Sequence, residues 1–463
     1  MKISFGEGAY TSRSSNANAQ ELINYYTEVN PASSKANIVT YPTPGTELFK
    51  DLGAFPIRGL HEFLGDLYAV SGSSLYKITP GAVVTNLGNI TGDGLVSMAD
   101  SGKELCVVTG FDGYIYSAAN GLDLISDPAW FPSDIVIYRN RRFIFIRKGT
   151  NQFFISKAYD GRNFDASQWD QITTNPDLLV SGIADHAYIW LFGSKSTNIW
   201  TYTGDELNFP FREVTGTALE RGCGAIRTPV RLNNVIYWLG DNGVVYQGQG
   251  FRIQRISTHA IETAINSYPI FGDAYSYTYE EGGHPFMVIT FPSGNATWMY
   301  DASISDPSKA WSQRRTGLIG RHLGMAYAHL GERHYVGDYR SGKIHRSSLD
   351  LLTDNGEIIY RTATSPMINA NRKRVFLDRL EIDIESGVGN TTAPNPQVML
   401  TYSDDGGKTW SKEKFASMGP VGTYMTRLKF HNLGSFYQRI FKLRIADTVK
   451  TVILDAEGIG DAE

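Results

Sequence analysis

The sequence predicts an all-β fold: a β-propeller of six or seven blades, with an extended N-terminal arm and a small C-terminal β-sandwich domain. Three observations carry this. First, a hairpin unit of strand, Gly/Asp/Asn turn and strand recurs seven times: GDLYAVSGSSLYKI from Gly65, CVVTGFDGYIYS from Cys106, RRFIFIRKGTNQFFIS from Arg141, AYIWLFGSKSTNIWTY from Ala187, NVIYWLGDNGVVYQG from Asn234, PFMVITFPSGNATWMYD from Pro285 and RHYVGDYRSGKIHRS from Arg333. The units recur roughly every 35 to 50 residues, a period that marks radial or stacked repeats. Second, 12% aromatics and 47 glycines beside only 19% charged residues describe many strands and tight turns. Third, beyond about residue 355 the pattern changes to strict alternation of apolar and charged residues, the signature of half-buried antiparallel strands. The expected division is an arm over residues 1–50, a propeller over 51–352 and a sandwich over 353–463.

In the arm, AQELINYY (Ala19 to Tyr26) reads as a short helix or an extended strand, and the Pro-, Ser- and Asn-rich VNPASSKANIVTYPTPG that follows favours irregular backbone. Such an arm packs on its own chain or reaches a neighbouring subunit. Tyr25, Tyr26 and Tyr41 are its candidate contacts. Within the propeller region one segment, Ser257 to Tyr268, has helical spacing of Ile261, Ala264 and Ile265, with Ser257 as the expected N-cap. In the last region Leu380, Ile382 and Ile384 alternate with acids, and Phe441, Leu443 and Ile445 alternate with bases. These opposite outer faces are expected to pair across strands.

Composition narrows the function. A net charge of −4 offers no global basic field for nucleic acid or anionic membrane. Two cysteines, Cys106 and Cys223, in apolar or Gly-rich contexts read as free thiols in a reducing compartment. The N-terminal segment lacks the apolar stretch of a signal peptide, and no apolar run is long enough for a membrane span.

The sharpest motif is SDDGGKTW, which resembles the Asp-box of sialidase-type propellers. Its chemistry is that of a hairpin: Ser403 and Asp405 cap turn amides, Gly407 supplies positive φ, and Thr409 and Trp410 complete the turn. A structural role is expected, and SKAYDGRNF (Ser156 to Phe164) is a looser echo. GDYRSGKI (Gly337 to Ile344) nearly spells a phosphate loop. However, Ile344 stands where Ser or Thr would meet magnesium, and the segment joins two strands, so it reads as a turn. The nine histidines show no metal-ligand spacing, no nucleophile elbow is present, and Asp404–Asp405 and Glu280–Glu281 lie in turn-like segments. No catalytic residue, cofactor or metal is expected. Two basic runs, RNRR (Arg139 to Arg142) and NRKR (Asn371 to Arg374), are candidate phosphate or partner contacts, with Arg372, Lys373 and Arg374 the stronger group.

Across its length the chain resembles a known family. ELINYYTEVNP, PTPGTELF (Pro42 to Phe49), GDGLVSMADSG (Gly92 to Gly102), GIADHAYIWLFGSKSTNIWTYTGD (Gly182 to Asp205), ERGCGAIRTPVRLNNVIYWLGDNGVVYQ (Glu220 to Gln247) and LEIDIESGVG (Leu380 to Gly389) resemble, in order, the packaged-DNA stabilization proteins (tail hubs or nozzles) of P22-like short-tailed phages. The resemblance implies a non-enzymatic virion tail protein, assembled in the host cytoplasm. It implies a homo-hexameric ring below the portal–adaptor ring that extends the DNA channel and retains the genome. It also implies tailspike or tail-fibre proteins and a tail needle or plug as partners, and passage of double-stranded DNA without sequence-specific binding. A carbohydrate-active, sialidase-like or glycan-binding propeller is the alternative. It requires an arginine cluster around a substrate carboxylate, which cannot be picked out of the sequence.

Overall fold

The computed structural model describes residues 1–462 apart from positions 32, 176, 207 and 319. Each of the seven hairpins forms the middle pair of a four-stranded antiparallel blade. In blade 1, Asp66–Ser71 and Ser74–Ile78 are flanked by Ile57–Phe63 and Val84–Asn89. Blades 2 to 6 begin with the inner strands Ser97–Asp100, Val136–Arg139, Leu179–Asp185, Val230–Leu232 and Tyr275–Glu281, and blade 7 with Gly324–Leu330. The middle strands are apolar along their length because neighbouring blades cover both faces: Phe143 to Ile146 and Ile189 to Phe192 are all buried. Side chains of adjacent blades make separate apolar cores. One joins Ile57, Leu67 and Ile78 of blade 1 to Ala328, Tyr335 and Ile344 of blade 7, and so closes the ring.

Turn chemistry sets the register. Asn140–Arg141 (φ 50° and 70°) and Asn233–Asn234 (φ 47° and 64°) both hold two consecutive positive-φ residues between paired strands. That is the type I′ hairpin geometry asparagine tolerates best. Asn371–Arg372 (φ 51° and 69°) makes the same turn. Both basic runs therefore contain an Asn-Arg hairpin tip, which explains their exposed arginines without any ligand. In the first run, Arg142 turns back to Glu206 at 2.6 Å and to the Ser156 carbonyl at 2.9 Å.

The first 51 residues are not a separate arm. Gly45–Asp51 is the fourth strand of blade 7, antiparallel to Lys343–Ser348. Ala19 to Tyr26 is extended rather than helical, divided among Ala19–Gln20, Leu22–Ile23 and the start of Tyr25–Val29. Leu22–Ile23 pairs in parallel with the outer strand of blade 6 (Ile23 opposite Gln313) and antiparallel with Arg361–Thr364. One sheet thus runs from blade 6 across this two-residue strand into Arg361–Thr364, Gln438–Ile445, Gln397–Ser403 and Lys414–Ser417. The facing sheet joins Tyr25–Val29, Ile38–Pro42, Ile453–Ala462, Val375–Ile384 and Leu428–His431. Together they form the C-terminal sandwich, with Leu380, Ile382, Leu400, Leu443 and Ile445 in its core.

Two local expectations are corrected. The acidic strand Val375–Ile384 and the basic strand Gln438–Ile445 lie in different sheets, because both turn their apolar faces to the same core. Glu381 and Asp383 instead meet Arg379 at 2.8 Å and Arg427 at 2.9 Å, and Lys442 meets Glu21 at 2.8 Å. The helix, α1, spans His259–Ser267 and is capped by Thr258 rather than Ser257. Ser257 donates its hydroxyl to Glu262 at 2.7 Å.

Between Leu22–Ile23 and Tyr25–Val29 stands Asn24, 1% exposed, with φ 55°. Its side-chain Oδ1 accepts the Arg315 N–H at 2.8 Å, and its Nδ2 donates to the carbonyls of Arg315 (3.1 Å) and Tyr360 (2.9 Å). Its backbone N–H donates to Gln313 at 2.8 Å, and its carbonyl accepts the Thr43 N–H at 3.1 Å. Asn24→Ala strands these groups in the interior and leaves a strained positive φ, so it should destabilise the protein by about 3 kcal/mol or more. Asn24→Gly loses the same bonds without the strain and should recover about 1 kcal/mol of that. Denaturant unfolding of the two variants beside the native protein measures both terms.

Candidate functional site

The Asp-box-like turn lies in the sandwich, directly after Gln397–Ser403. Ser403 Oγ accepts the Gly407 N–H at 2.8 Å and donates to Asp405 at 2.7 Å. Asp405 accepts the N–H groups of Lys408 and Thr409, both at 2.9 Å, and the Thr409 hydroxyl at 2.6 Å. These bonds, the Thr409 hydroxyl and amide foremost, hold its carboxyl well below the usual range. Gly406 and Gly407 have φ 75° and 87°, and the Lys442 ammonium sits 4.0 Å from the Trp410 ring centroid. The Asp405 carboxylate is thus occupied by its own turn. The adjacent Asp404 grips Arg439 through two bonds of 2.6 and 2.8 Å, and that guanidinium lies over Tyr402 at 4.0 Å and Phe436 at 4.2 Å. The two acids organise a surface turn and a buried arginine; they do not form an acid/base pair.

The candidate contact residues divide. Tyr25 is 1% exposed and Tyr26 6%. Tyr26 packs edge-on against His284 and Phe286 and stacks on Tyr41 at 5.8 Å. Burial in their own chain takes Tyr25 and Tyr26 away from any neighbour and corrects that expectation. Tyr41 is half-buried at the edge of the same cluster. Arg372, Lys373 and Arg374 are exposed, with Arg374 bonded to the Ser435 hydroxyl at 3.0 Å and lying over Phe376. Phe376 and Tyr437 nearby are 41% and 61% exposed. At the far end of the Val375–Ile384 strand, Val421, Tyr424 and Met425 are also exposed, Met425 almost completely.

The propeller axis holds a cavity of about 470 Å³ lined by inner-strand residues including His61, Met98, Ile137, Ile183, Val230 and Ser276. A second cavity, of about 290 Å³, opens among the loops at Asp93, Asp134, Lys148 and Asp273. Ile226 and Arg227 line both, and Arg227 donates to the Leu95 carbonyl at 2.9 Å. These are volumes for a small molecule.

His284, at the start of a blade-6 strand, is 8% exposed. Its Nδ1 lies 2.7 Å from Asp301 and its Nε2 3.4 Å from Glu28. The Asp301 bond leads the causes that raise its pKa. Ser303 Oγ donates to Asp301 at 2.6 Å and approaches the same Nδ1. Serine and aspartate thus share one ring nitrogen, and the arrangement cannot relay a proton from serine to aspartate through the ring. His322 is buried, and burial with nearby Arg314 pushes its pKa well below the ordinary value. Burial pushes the Cys106 thiol well up and the Cys223 thiol up to about 11. Among the described residues no group of three or more His, Cys, Asp and Glu side chains is placed to hold a metal ion, and no helix is long and apolar enough to cross a membrane.

Two family models match end to end: bacteriophage P22 Gp10, beta-propeller, over residues 1–350, and bacteriophage P22 Gp10, beta-sandwich, over residues 360–458. The chain belongs to the bacteriophage P22 Gp10 family. This is a family of phage structural proteins, and its two named parts match the ring of blades and the sandwich described above. No curated protein sequence matches the chain. Similar solved structures include the computationally designed Ika8 protein (10% identity, TM-score 0.40, covering 71% of this chain and 99% of that one). The N-terminal domain of Nup159 is also similar (11%, TM-score 0.44, 71% and 99%). So is the extracellular domain of BT4673 from B. thetaiotaomicron (9%, TM-score 0.43, 77% and 46%). These likenesses are too distant to bear on function.

Within this P22 Gp10 family member, the His284 network ties blade 6 to the N-terminal strand Tyr25–Val29 through Glu28. No period or motif announces it, since Glu28 comes from a strand distant in sequence, although Asp301 ends the same hairpin that His284 begins. A folded pKa raised above the ordinary 6.5 means the folded state binds the proton more tightly than the unfolded chain does. The stabilisation is therefore complete below about pH 6.5 and fades as pH rises through the folded pKa. His284→Gln should lower the melting temperature most at acidic pH, with the difference from native protein shrinking toward alkaline pH. Thermal melts across pH check the sign.

Proposed function

We propose that this protein is a tail hub or nozzle of a short-tailed phage. Six copies form a ring below the portal–adaptor, extend the DNA channel, retain the packaged genome and anchor tailspikes or fibres and the needle. The observation that carries this reading is membership of the P22 Gp10 family across both the propeller and the sandwich. Three physical features support it. The axial cavity of each propeller has only small-molecule volume, so a duplex passing this protein runs between copies and not through a blade ring. The net charge is −4, and many cations are spent on carboxylates of the same chain, as at Arg142–Glu206, Arg255–Glu262, Arg346–Glu47 and Arg439–Asp404. A wall with few free cations lets phosphates slide, because each phosphate contact adds affinity. Finally, the exposed groups at the two ends of the sandwich, Arg372 to Arg374 with Phe376 and Tyr437, and Val421 with Tyr424 and Met425, are the surfaces we assign to neighbouring subunits or tail partners.

A head-to-tail contact that closes by rotation gives a ring. Mass photometry and negative-stain imaging of the chain, alone and mixed with its portal–adaptor complex, should show a six-fold ring. A monomer that ignores the complex overturns the reading. Reversing Arg372, Lys373 and Arg374 together to Glu should sharply weaken assembly, because like charges brought together at an interface cost several kcal/mol. The melting temperature of the isolated chain should change little, since these side chains are exposed.

A further inference from the structure

Arg361 differs from the other deep-lying arginines. Arg58 gives its guanidinium to the carbonyls of Gly94, Gly72 and Thr91 at 2.7, 2.7 and 2.9 Å. Arg439 grips Asp404, Arg142 meets Glu206, and Arg314 donates to the Pro44 carbonyl at 2.8 Å. Arg361 is 0% exposed, yet Nε, Nη1 and Nη2 all lack an acceptor on the protein. It sits on Arg361–Thr364, opposite Ile445, and two residues before Ala363 of the sandwich core. Tyr25, on the facing sheet, is close enough for its hydroxyl to sense the Arg361 charge, and Thr451 lies beside that hydroxyl. Both hydroxyls are buried without a geometrically sound partner.

The charge count points the same way. Arg314, Arg361 and Asp354 interact in the interior, at 2%, 0% and 2% exposure. Glu281 also acts on Arg314, which leaves Arg361 as the guanidinium with no hydrogen-bonding or ion-pairing acceptor. Asp354 spends its oxygens on the hydroxyls of Thr46 at 3.3 Å and Thr316 at 3.2 Å, and makes no ion pair with Arg361. A buried guanidinium with neither counter-ion nor acceptors is the costliest arrangement a protein interior can hold.

We propose that Arg361, with the hydroxyls of Tyr25 and Thr451, binds a small monovalent inorganic anion of the chloride class. The one unpaired guanidinium sets the valence, and the complete burial of Arg361 and Thr451 sets the size. Tyr25 comes from the N-terminal segment, Arg361 and Thr451 from the sandwich, and the neighbouring Arg314 from blade 6. The anion therefore pins the seam where these three parts meet, and folding stability is linked to its concentration.

The test uses the full chain, purified in sodium chloride, sodium bromide or sodium gluconate at equal ionic strength, gluconate being too large for the site. The melting temperature should rise with halide concentration relative to gluconate. Arg361→Met should abolish that dependence. Crystals grown in bromide should show an anomalous peak within hydrogen-bonding reach of Arg361, a result that stands even if the variant does not fold. No peak at Arg361, with water in its place, overturns the proposal. So does a peak without a halide effect on melting of the native chain, which marks an adventitious ion only.

Discussion

The architecture depends on one asparagine. Asn24 stands where the N-terminal segment passes from the blade-6 sheet to the facing sheet of the sandwich, and every polar atom it owns is committed there. Its positive φ turns the chain between Ile23 and Tyr25, and its amide holds Arg315 of the propeller and Tyr360 of the sandwich together. Asparagine suits this post because it tolerates the left-handed region and carries both a donor and an acceptor. The parallel and antiparallel pairings of Leu22–Ile23 then extend the joint into one continuous sheet. A linker would let the propeller and sandwich swing; a shared sheet couples them.

The same segment closes the propeller. Having crossed the sandwich twice, the chain enters blade 7 as Gly45–Asp51 and only then begins blade 1 at Ile57. Ring closure and domain coupling therefore rest on one stretch of chain. Sandwich residues such as Leu380 and Leu443 share a single apolar cluster with Trp311 and Ile289 of blade 6 and Ile261 of α1. Apolar burial that is continuous across a seam makes the two parts one folding problem, because neither buries that surface alone.

Legibility in the sequence followed the range of the interactions. The seven central hairpins could be read because everything that fixes them is local: a tight turn and two apolar strands covered on both faces. The outer strands were faint because they are short and half-exposed, as in Phe211–Glu213 or Val84–Asn89. The N-terminal pairings could not be read at all, since Asn24 finds Arg315 and Tyr360 across 291 and 336 residues with no local mark. The basic runs were legible as charge but not as turns, because Asn-Arg at a type I′ tip looks like a charge cluster in one dimension. His284 was hidden in part in the same way as Asn24, its partner Glu28 lying on a distant strand and only Asp301 in the same hairpin. The Asp-box was legible in chemistry and silent on purpose, because a turn that satisfies its own carboxylate says only that a turn is there.

On the proposed tail-hub reading the protein has to satisfy two electrostatic conditions together. Its surfaces must not hold DNA, and its interior must not hold unpaired charge. The first is met by pairing: basic side chains of the sandwich and of the N-terminal segment face acids of the same two parts, as at Arg427–Asp383, Lys35–Asp383 and Lys442–Glu21. Exposed pairs of this kind add little stability, but they remove cations that phosphate would otherwise find. The second condition is met at Arg58, Arg142 and Arg439 by carbonyls and carboxylates placed for them. At Arg361 the protein supplies no such group, and the proposed anion takes its place. Charges at the junction of the propeller, the sandwich and the N-terminal segment thus bear on how those parts are held together, whereas the exposed cations at the Arg372 hairpin tip are, on the proposed reading, for what the chain meets outside itself.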